Sequence, residues 1–237
     1  MPTVLVSGAS RGIGRELVRQ CLERGDEVVA IVRRAASAAE LRAEFGSRPV
    51  ILECDVTDEP ALRAARHALD RRVQAVDILV NSAGRYSFVS EHWDPGRTTF
   101  DALTHDELIQ IFDVNAAAPM LVIRAFLDLL RRAARPRILN LTSLLGSVSH
   151  RTQPGDYAYA ASKAALNIMT RVFAAEFRPH GIIAVAVTPG WVHTDMGGAG
   201  ASLSPQASVR GLLALADGLT IADTGRFVDY QGETQPW

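Results

Sequence analysis

Tyr159 and Lys163 stand four residues apart in the stretch YAYAASKAAL (157–166), and Lys163 is the only lysine in a chain with 25 Lys and Arg residues. On a helix, positions i and i+4 share a face, which holds an ammonium beside the region a phenol reaches. A free tyrosine has a pKa of about 10, too high for efficient proton transfer at neutral pH, and a nearby cation favours its ionised form. The pair reads as a tuned acid/base. Arginine supplies charge but is bulky and forked; lysine is a compact point charge with three donors, able to bond two ribose hydroxyls as well. Tyr157 has Ala161 at i+4 instead, and reads as a packing residue or a wall of a substrate site.

Ser143 ends the strand-like RILNLTS, where its hydroxyl could polarise a carbonyl beside the Tyr159 helix. Thr142 competes for that role, because a one-residue shift reverses the facing of a strand residue. Ser147 and Ser149 read as turn formers. Asn115 draws notice differently: Leu108, Ile111, Phe112, Asn115, Ala118 and Val122 fall on one helical stripe, so an amide sits on an apolar face and needs a buried partner. Pro119 has no N–H to give the Asn115 carbonyl, which predicts a kinked helix and an oxygen able to hold a water near Lys163. A core asparagine satisfied by neighbouring backbone is the alternative.

Near the N-terminus, strand 3–6 runs into SGASRGIG, with Gly8, Gly12 and Gly14 spaced G-x3-G-x-G before a helix. Glycines there permit positive φ and close backbone approach, and a pyrophosphate can sit on the free N–H groups at the helix start, with Ser10, Arg11 and Ile13 in the same turn. An ordinary glycine-rich turn shares these features; its place in the first strand–helix unit favours the phosphate reading. After EVVAIV come Arg33 and Arg34, where an NAD enzyme of such architecture places an acid toward the adenine ribose. With Arg11 they would clamp a 2′-phosphate, so NADPH is the expected cofactor. The alternative is a solvated strand end.

These residues need a scaffold. Short apolar runs alternate with helix-period segments: TVLVSG then 12–24, EVVAIV then 36–45, VILEC then 58–73, DILVNS then 105–133, RILNLT then 156–178, IIAVAVT then 205–217, and finally RFVDY. Near-continuous apolar strands imply a sheet covered on both faces. The predicted fold is α/β: a single domain over 1–237, a Rossmann-type, doubly wound, mostly parallel sheet of seven strands. Loops 85–104 and 190–205 follow strand ends, where such sheets bind ligands. Residues 197–201, GGAGA, read as a hinge or lid, and Trp93 and Trp191 as pocket lining or core cover.

Composition excludes other classes. With 48% hydrophobic residues and a net charge of −1, signs interspersed, neither nucleic acid nor an anionic membrane surface is an expected partner, and no apolar run reads as a membrane span. The N-terminus enters a strand directly, without signal-peptide features, which predicts a cytoplasmic protein. Cys21, Cys54 and six scattered histidines lack metal-ligand spacing, so no metal and no disulfide is expected.

Taken in order, Gly8-x3-Gly12-x-Gly14, Asn81-Ser82-Ala83-Gly84, Ser143 and Tyr159-x3-Lys163 resemble the motifs of the short-chain dehydrogenases/reductases over essentially the whole chain. PGWVHTDMGG and the terminal GRFVDYQGETQPW look more narrowly like the C-factor/sniffer-like carbonyl reductases. Ser7 stands where the family usually has Thr, and Ser82 replaces an Asn. The resemblance implies an Asn115-Ser143-Tyr159-Lys163 tetrad with a proton relay at Asn115, adenine contacts at Asp55 and Val56, and cofactor contacts at Asn81, Ala83 and Gly84. It implies a nicotinamide-carboxamide site at Pro189, Gly190, Val192 and Thr194. From the residues alone, Asp55 could equally be a helix N-cap, with Thr57 and Asp58 as competitors. Small carbonyl or alcohol substrates follow, as does a homodimer or homotetramer joined through 105–133 and 156–178. A dinucleotide-dependent epimerase or dehydratase is the rival enzyme, although those usually carry a separate substrate domain. A cofactor-binding signalling protein of the C-factor type with little turnover is the non-enzymatic rival.

Overall fold

In the computed structural model, which describes residues 1–70, 72–87 and 99–237, seven strands form one all-parallel sheet in the order β3-β2-β1-β4-β5-β6-β7. The strands are β1 (Thr3–Ser7), β2 (Glu27–Val32), β3 (Val50–Glu53), β4 (Ile78–Asn81), β5 (Arg137–Leu141), β6 (Ile183–Thr188) and β7 (Phe227–Asp229). The order reverses between β1 and β4, and the crevice at their carboxyl ends is where open sheets of this kind place ligands. Every residue of β1, β4, β5 and β6 is buried.

Alternation along the strands divides the core into two layers. Val4, Val6, Leu139 and Val185 face α1 (Gly12–Glu23) and α7 (Pro205–Gly218), joined there by Leu17, Val209 and Leu212. Leu5, Ile138 and Ala184 face the other side, with Leu62 of α3 (Glu59–His67), Phe126 and Leu129 of α5 (Ala118–Leu130), and Ala174 of α6 (Tyr157–Phe177). The second helix of the chain, α2 (Ala35–Phe45), buries only Ala38 and Leu41. Helix starts follow ordinary capping chemistry: Asp58 caps α3 through Ala61 N at 3.0 Å, Ser204 caps α7, and Thr104 caps α4 (His105–Phe112).

Two expectations change. The predicted helix 58–73 stops at His67. The predicted helix 105–133 is α4 and α5 joined by a π turn, Asp113–Ala117, in which Ala118 N–H reaches back five residues to the Asp113 carbonyl. Taken as one helix, His105–Leu130 is long and apolar enough to cross a membrane, an 18-residue window of it having a mean hydropathy of 1.4, contrary to the reading above; here Ile111, Val122, Ile123 and Phe126 are buried inside the protein.

A buried polar chain ties the sheet to α6. Ser7 Oγ donates to Asn81 Oδ1 (3.3 Å), Asn81 Nδ2 to Asn140 Oδ1 (2.8 Å), and Asn140 Nδ2 to Thr170 Oγ1 (2.8 Å). Asn81 and Asn140 are register partners across β4 and β5, so the chain fixes where the strands end relative to the helix. Buried amides lose heavily when a partner is removed. Asn140→Ala is therefore expected to lower unfolding free energy in urea by about 1–3 kcal/mol; a loss no larger than that of an exposed alanine substitution would contradict the role.

Candidate active site

At the carboxyl edge of β5, Thr142 and Ser143 point to different sides, and Thr142 is the one that lines the cleft. Thr142 is buried and its hydroxyl donates to the Lys163 carbonyl at 3.3 Å. Ser143 faces the other way: its oxygen accepts from Leu145 N at 3.2 Å, and its hydroxyl acts on the Tyr159 phenol to lower its pKa. Gly146 lets this segment press onto α6, since a Cβ there would lie 2.8 Å from Lys163 main-chain and side-chain atoms. Sequence reasoning missed Gly146; no spacing rule marks a close approach between segments far apart in sequence.

Tyr159 and Lys163 lie on the inner face of α6, both buried and both lining the cleft. Lys163 Nζ donates to the Leu141 carbonyl at 2.8 Å and stands 5.7 Å from the centre of the Tyr159 ring. The expected lowering of the phenol pKa does not occur. Burial pushes Tyr159 up to about 12, opposed by the Ser143 hydrogen bond and reinforced by the Asp156 charge. Burial also pushes Lys163 down to about 8. The physical reason is shared: the dry site disfavours both charged forms, and the amine is directed at a carbonyl rather than at the phenol.

Asn115, fully buried, realises the core-amide alternative. Its side chain accepts from Arg85 N (2.8 Å) and donates to Arg85 O (2.7 Å) and Ser162 Oγ (3.0 Å). The kink expected from Pro119 is taken up by the π turn that carries Asn115. Gly84 lies between this amide and the lysine: a Cβ there would be 3.4 Å from Asn115 Oδ1 and 3.6 Å from Lys163 Nζ.

The rest of the cleft is lined by glycines, a helix start and basic side chains. Gly8, with φ +70°, has no room for a side chain, its Cβ falling 2.6 Å from Ala83 backbone; Gly14 would clash with the Gly8 carbonyl at 2.2 Å. Helix α1 begins at Arg11 with no side-chain cap and no acid in its first turn, leaving N–H groups to face an anion. Ser10, Gly12 and Ile13 line this end, as do Arg33 and Arg34, exposed and without an ion-pair partner among the described residues. Arg11 lines it too, and pairs with Asp195 at 3.3 Å. Asp55 and Val56 form the next wall; Asp55 holds Thr57 N and Oγ1 at 3.0 and 2.8 Å, while Asp58 takes the N-cap. Ala83, Gly84, Pro189 and Thr194 line the cleft as well.

Three expected cofactor residues stand behind it. Asn81 belongs to the polar chain. Gly190, at φ +84°, makes room for Leu203 and Tyr230. Val192 is buried and pairs with Leu203. Within 197–201, Gly197 has no room for a side chain, its Cβ falling 2.0 Å from the Val192 carbonyl, and Trp191 is exposed, its indole N–H donating to Gly197 O at 2.9 Å. Trp93 lies outside the described residues. Sequence reasoning also missed Tyr86, whose ring meets that of Tyr159 at 5.0 Å between centroids.

Comparison with known proteins agrees with this architecture. A family profile described as short chain dehydrogenase matches residues 2–202. The C-signal of Myxococcus xanthus is 42% identical over 162 residues, 68% of this chain and 93% of its own. Among solved structures, an NADPH-bound carbonyl reductase from chicken fatty liver is similar with a TM-score of 0.89 at 31% identity, covering 100% of this chain and 99% of its own. The carbonyl reductase Sniffer of D. melanogaster reaches 0.90 at 30% identity, with both chains covered in full.

Lys163 yields a stability prediction. Its folded value of about 8 lies below the 10.5 of a free lysine, so the unfolded chain holds the proton more tightly. The residue therefore destabilises the fold below pH 8, and progressively less as the pH rises toward 10.5. Lys163→Met is expected to be more stable than the parent at pH 7, by about 1–3 kcal/mol, with the gain shrinking by pH 10. Urea unfolding at both pH values reads it; a variant less stable at pH 7, or a gain independent of pH, would contradict it.

Proposed function

The chain belongs to the short-chain dehydrogenase family, and on that premise we propose that it is an NADP(H)-dependent oxidoreductase acting between the nicotinamide and a carbonyl or alcohol, as a carbonyl reductase. One observation carries the reading: a phenol and an amine one helical turn apart, both buried at a sheet edge, open into the same cleft as an uncapped helix start and two arginines with no ion-pair partner among the described residues. Residues 1–237 are taken as one domain, since all seven strands share one sheet.

The residues fit the cofactor. Gly8 and Gly12 with the start of α1 would hold the pyrophosphate, Arg33 and Arg34 a 2′-phosphate, Asp55 and Val56 the adenine, and Lys163 the nicotinamide ribose. NADP(H) supplies the hydride when bound. In carbonyl reduction Ser143 polarises the carbonyl oxygen and Tyr159 donates its phenolic proton to it. A phenol that burial keeps protonated suits an acid. Lys163, with its lowered pKa, can return a proton to Tyr159 at a pH near neutrality. Asn115 fixes the Arg85 backbone at the rim, and its main-chain oxygen on the π turn is the point at which a relay water could enter.

The substrate is thus a small carbonyl compound or alcohol, with no nucleic acid or membrane involved. Exposed Ile109 on α4 and Ile168, Met169 and Val172 on α6 support a homodimer or homotetramer. Two buried, unpaired cysteines suit a cytoplasmic location. A second reading, a cofactor-binding signalling protein with little turnover, is favoured by the likeness to C-signal.

A fluorescence titration with NADPH and a turnover screen of aldehydes and ketones separate the two readings. Turnover is expected, and binding without turnover across the screen would favour signalling. Tyr159→Phe should slow turnover ~10²- to 10⁴-fold while NADPH affinity holds; Tyr157→Phe should be mild. Cofactor choice tests the arginines: kcat/KM should favour NADPH over NADH at least about ten-fold, because a charge-assisted hydrogen bond is worth roughly 1.5–3 kcal/mol. Arg33→Asp should erase most of that margin. An NADH preference in the parent protein would overturn the assignment.

A further inference from the structure

Two residues with no part in the reaction so far face its acid. Tyr86 lines the cleft, its ring tilted 48° against that of Tyr159, and its hydroxyl donates to Asp156 Oδ1. Asp156 immediately precedes α6 with left-handed backbone (φ 56°, ψ 28°), the only non-glycine residue with positive φ among the described residues. Asp and Asn tolerate that conformation best, and it persists only where the surroundings over-determine it. Those surroundings are visible. Arg151 Nη2 contacts Asp156 Oδ2 at 3.2 Å, and Ala160 N–H donates to the Asp156 carbonyl at 2.7 Å. The carboxylate does not cap α6, although it stands at the N-cap position; it is committed to Tyr86 and Arg151 instead.

We propose that Asp156 is a positioning residue for the acid: it fixes the Tyr86 ring against Tyr159 and, balanced by Arg151, sets the electrostatic field at the Tyr159 phenol. The proposal rests on the reading of Tyr159 as the proton donor. Among the described residues, the groups that bear on Tyr159 come from three directions. Ser143 approaches from the segment after β5, Tyr86 from the segment after β4, and Lys163 and Asp156 from α6 and its leading edge, with Arg151 behind Asp156. Among the described residues Asp156 is the one negative charge acting on the phenol, and it acts to keep the proton on. An acid that must stay protonated until the carbonyl arrives gains from such a neighbour. Tyr86, held by the same carboxylate, walls the approach to that proton.

Two substitutions of opposite sign test this. Asp156→Asn keeps an acceptor for Tyr86 and a residue suited to left-handed backbone, and removes only the charge. Arg151→Gln removes the countercharge. Each is made in protein labelled with 3-fluorotyrosine, which brings the phenols into an accessible pH range, and the Tyr159 signal is assigned in ¹⁹F NMR by its loss in Tyr159→Phe. Asp156→Asn should lower the pKa of that signal by about 0.5–1 unit and Arg151→Gln should raise it. The alkaline limb of kcat against pH should move with the same signs. Shifts in the same direction, or an unmoved titration alongside slower turnover, would overturn the proposal. Turnover retained in Tyr159→Phe would instead remove the proton-donor reading while leaving the titration result intact, so the two failures are distinguishable.

Discussion

The contact on which the site depends is that of the Lys163 ammonium with the Leu141 carbonyl, 2.8 Å long and buried. It joins the last residue of β5 to the face of α6 and brings a charge into a dry place, which opposes folding unless the surroundings are fixed. Much of the local sequence answers that need. Gly146 is a glycine because a Cβ would press on this lysine. Thr142 bonds the carbonyl of the same residue, and the chain from Ser7 through Asn81 and Asn140 to Thr170 locks strand ends to helix one and two turns further along. Function here is placed on the rigid carboxyl edge of the sheet, and stability is given up locally to put it there.

The sheet was legible because its strands are buried on both faces and read as unbroken apolar runs, separated by helix-period segments. The i+4 spacing of Tyr159 and Lys163 and the glycines of the first turn were legible because each chemistry demands a residue type at a fixed local spacing. What the sequence hid is long-range. Nothing local says that Arg11 meets Asp195, 184 residues away, or that Asn115 is satisfied by the Arg85 backbone. Nor does anything local say that the Asn81 side chain braces the strand ends, or that Gly190 and Val192 pack against Leu203. The lowered phenol pKa was expected from charge proximity alone, and desolvation of both partners reversed it.

The two ends of the cleft are specified by different physics. At the end proposed for the phosphates, backbone would do the binding: an uncapped helix start, glycines that admit close approach, and two arginines with no ion-pair partner among the described residues. At the chemical end, side chains are buried and mutually constrained, Ser143 and Tyr86 against Tyr159, Asn115 against Arg85 and Ser162. The first end is tolerant and sets affinity. The second is exacting, because proton transfer needs atoms within hydrogen-bond reach.

The central claim, that this cleft carries hydride from NADPH to a carbonyl carbon, is tested most directly by isotope transfer. NADPH deuterated at one or the other C4 position is given with an aldehyde or ketone that the protein reduces, and the product is read by NMR. The account predicts deuterium on the carbinol carbon from one of the two labelled cofactors and not the other. Oxidation of the cofactor without label in the product, or binding with no transfer to any carbonyl tried, would contradict it.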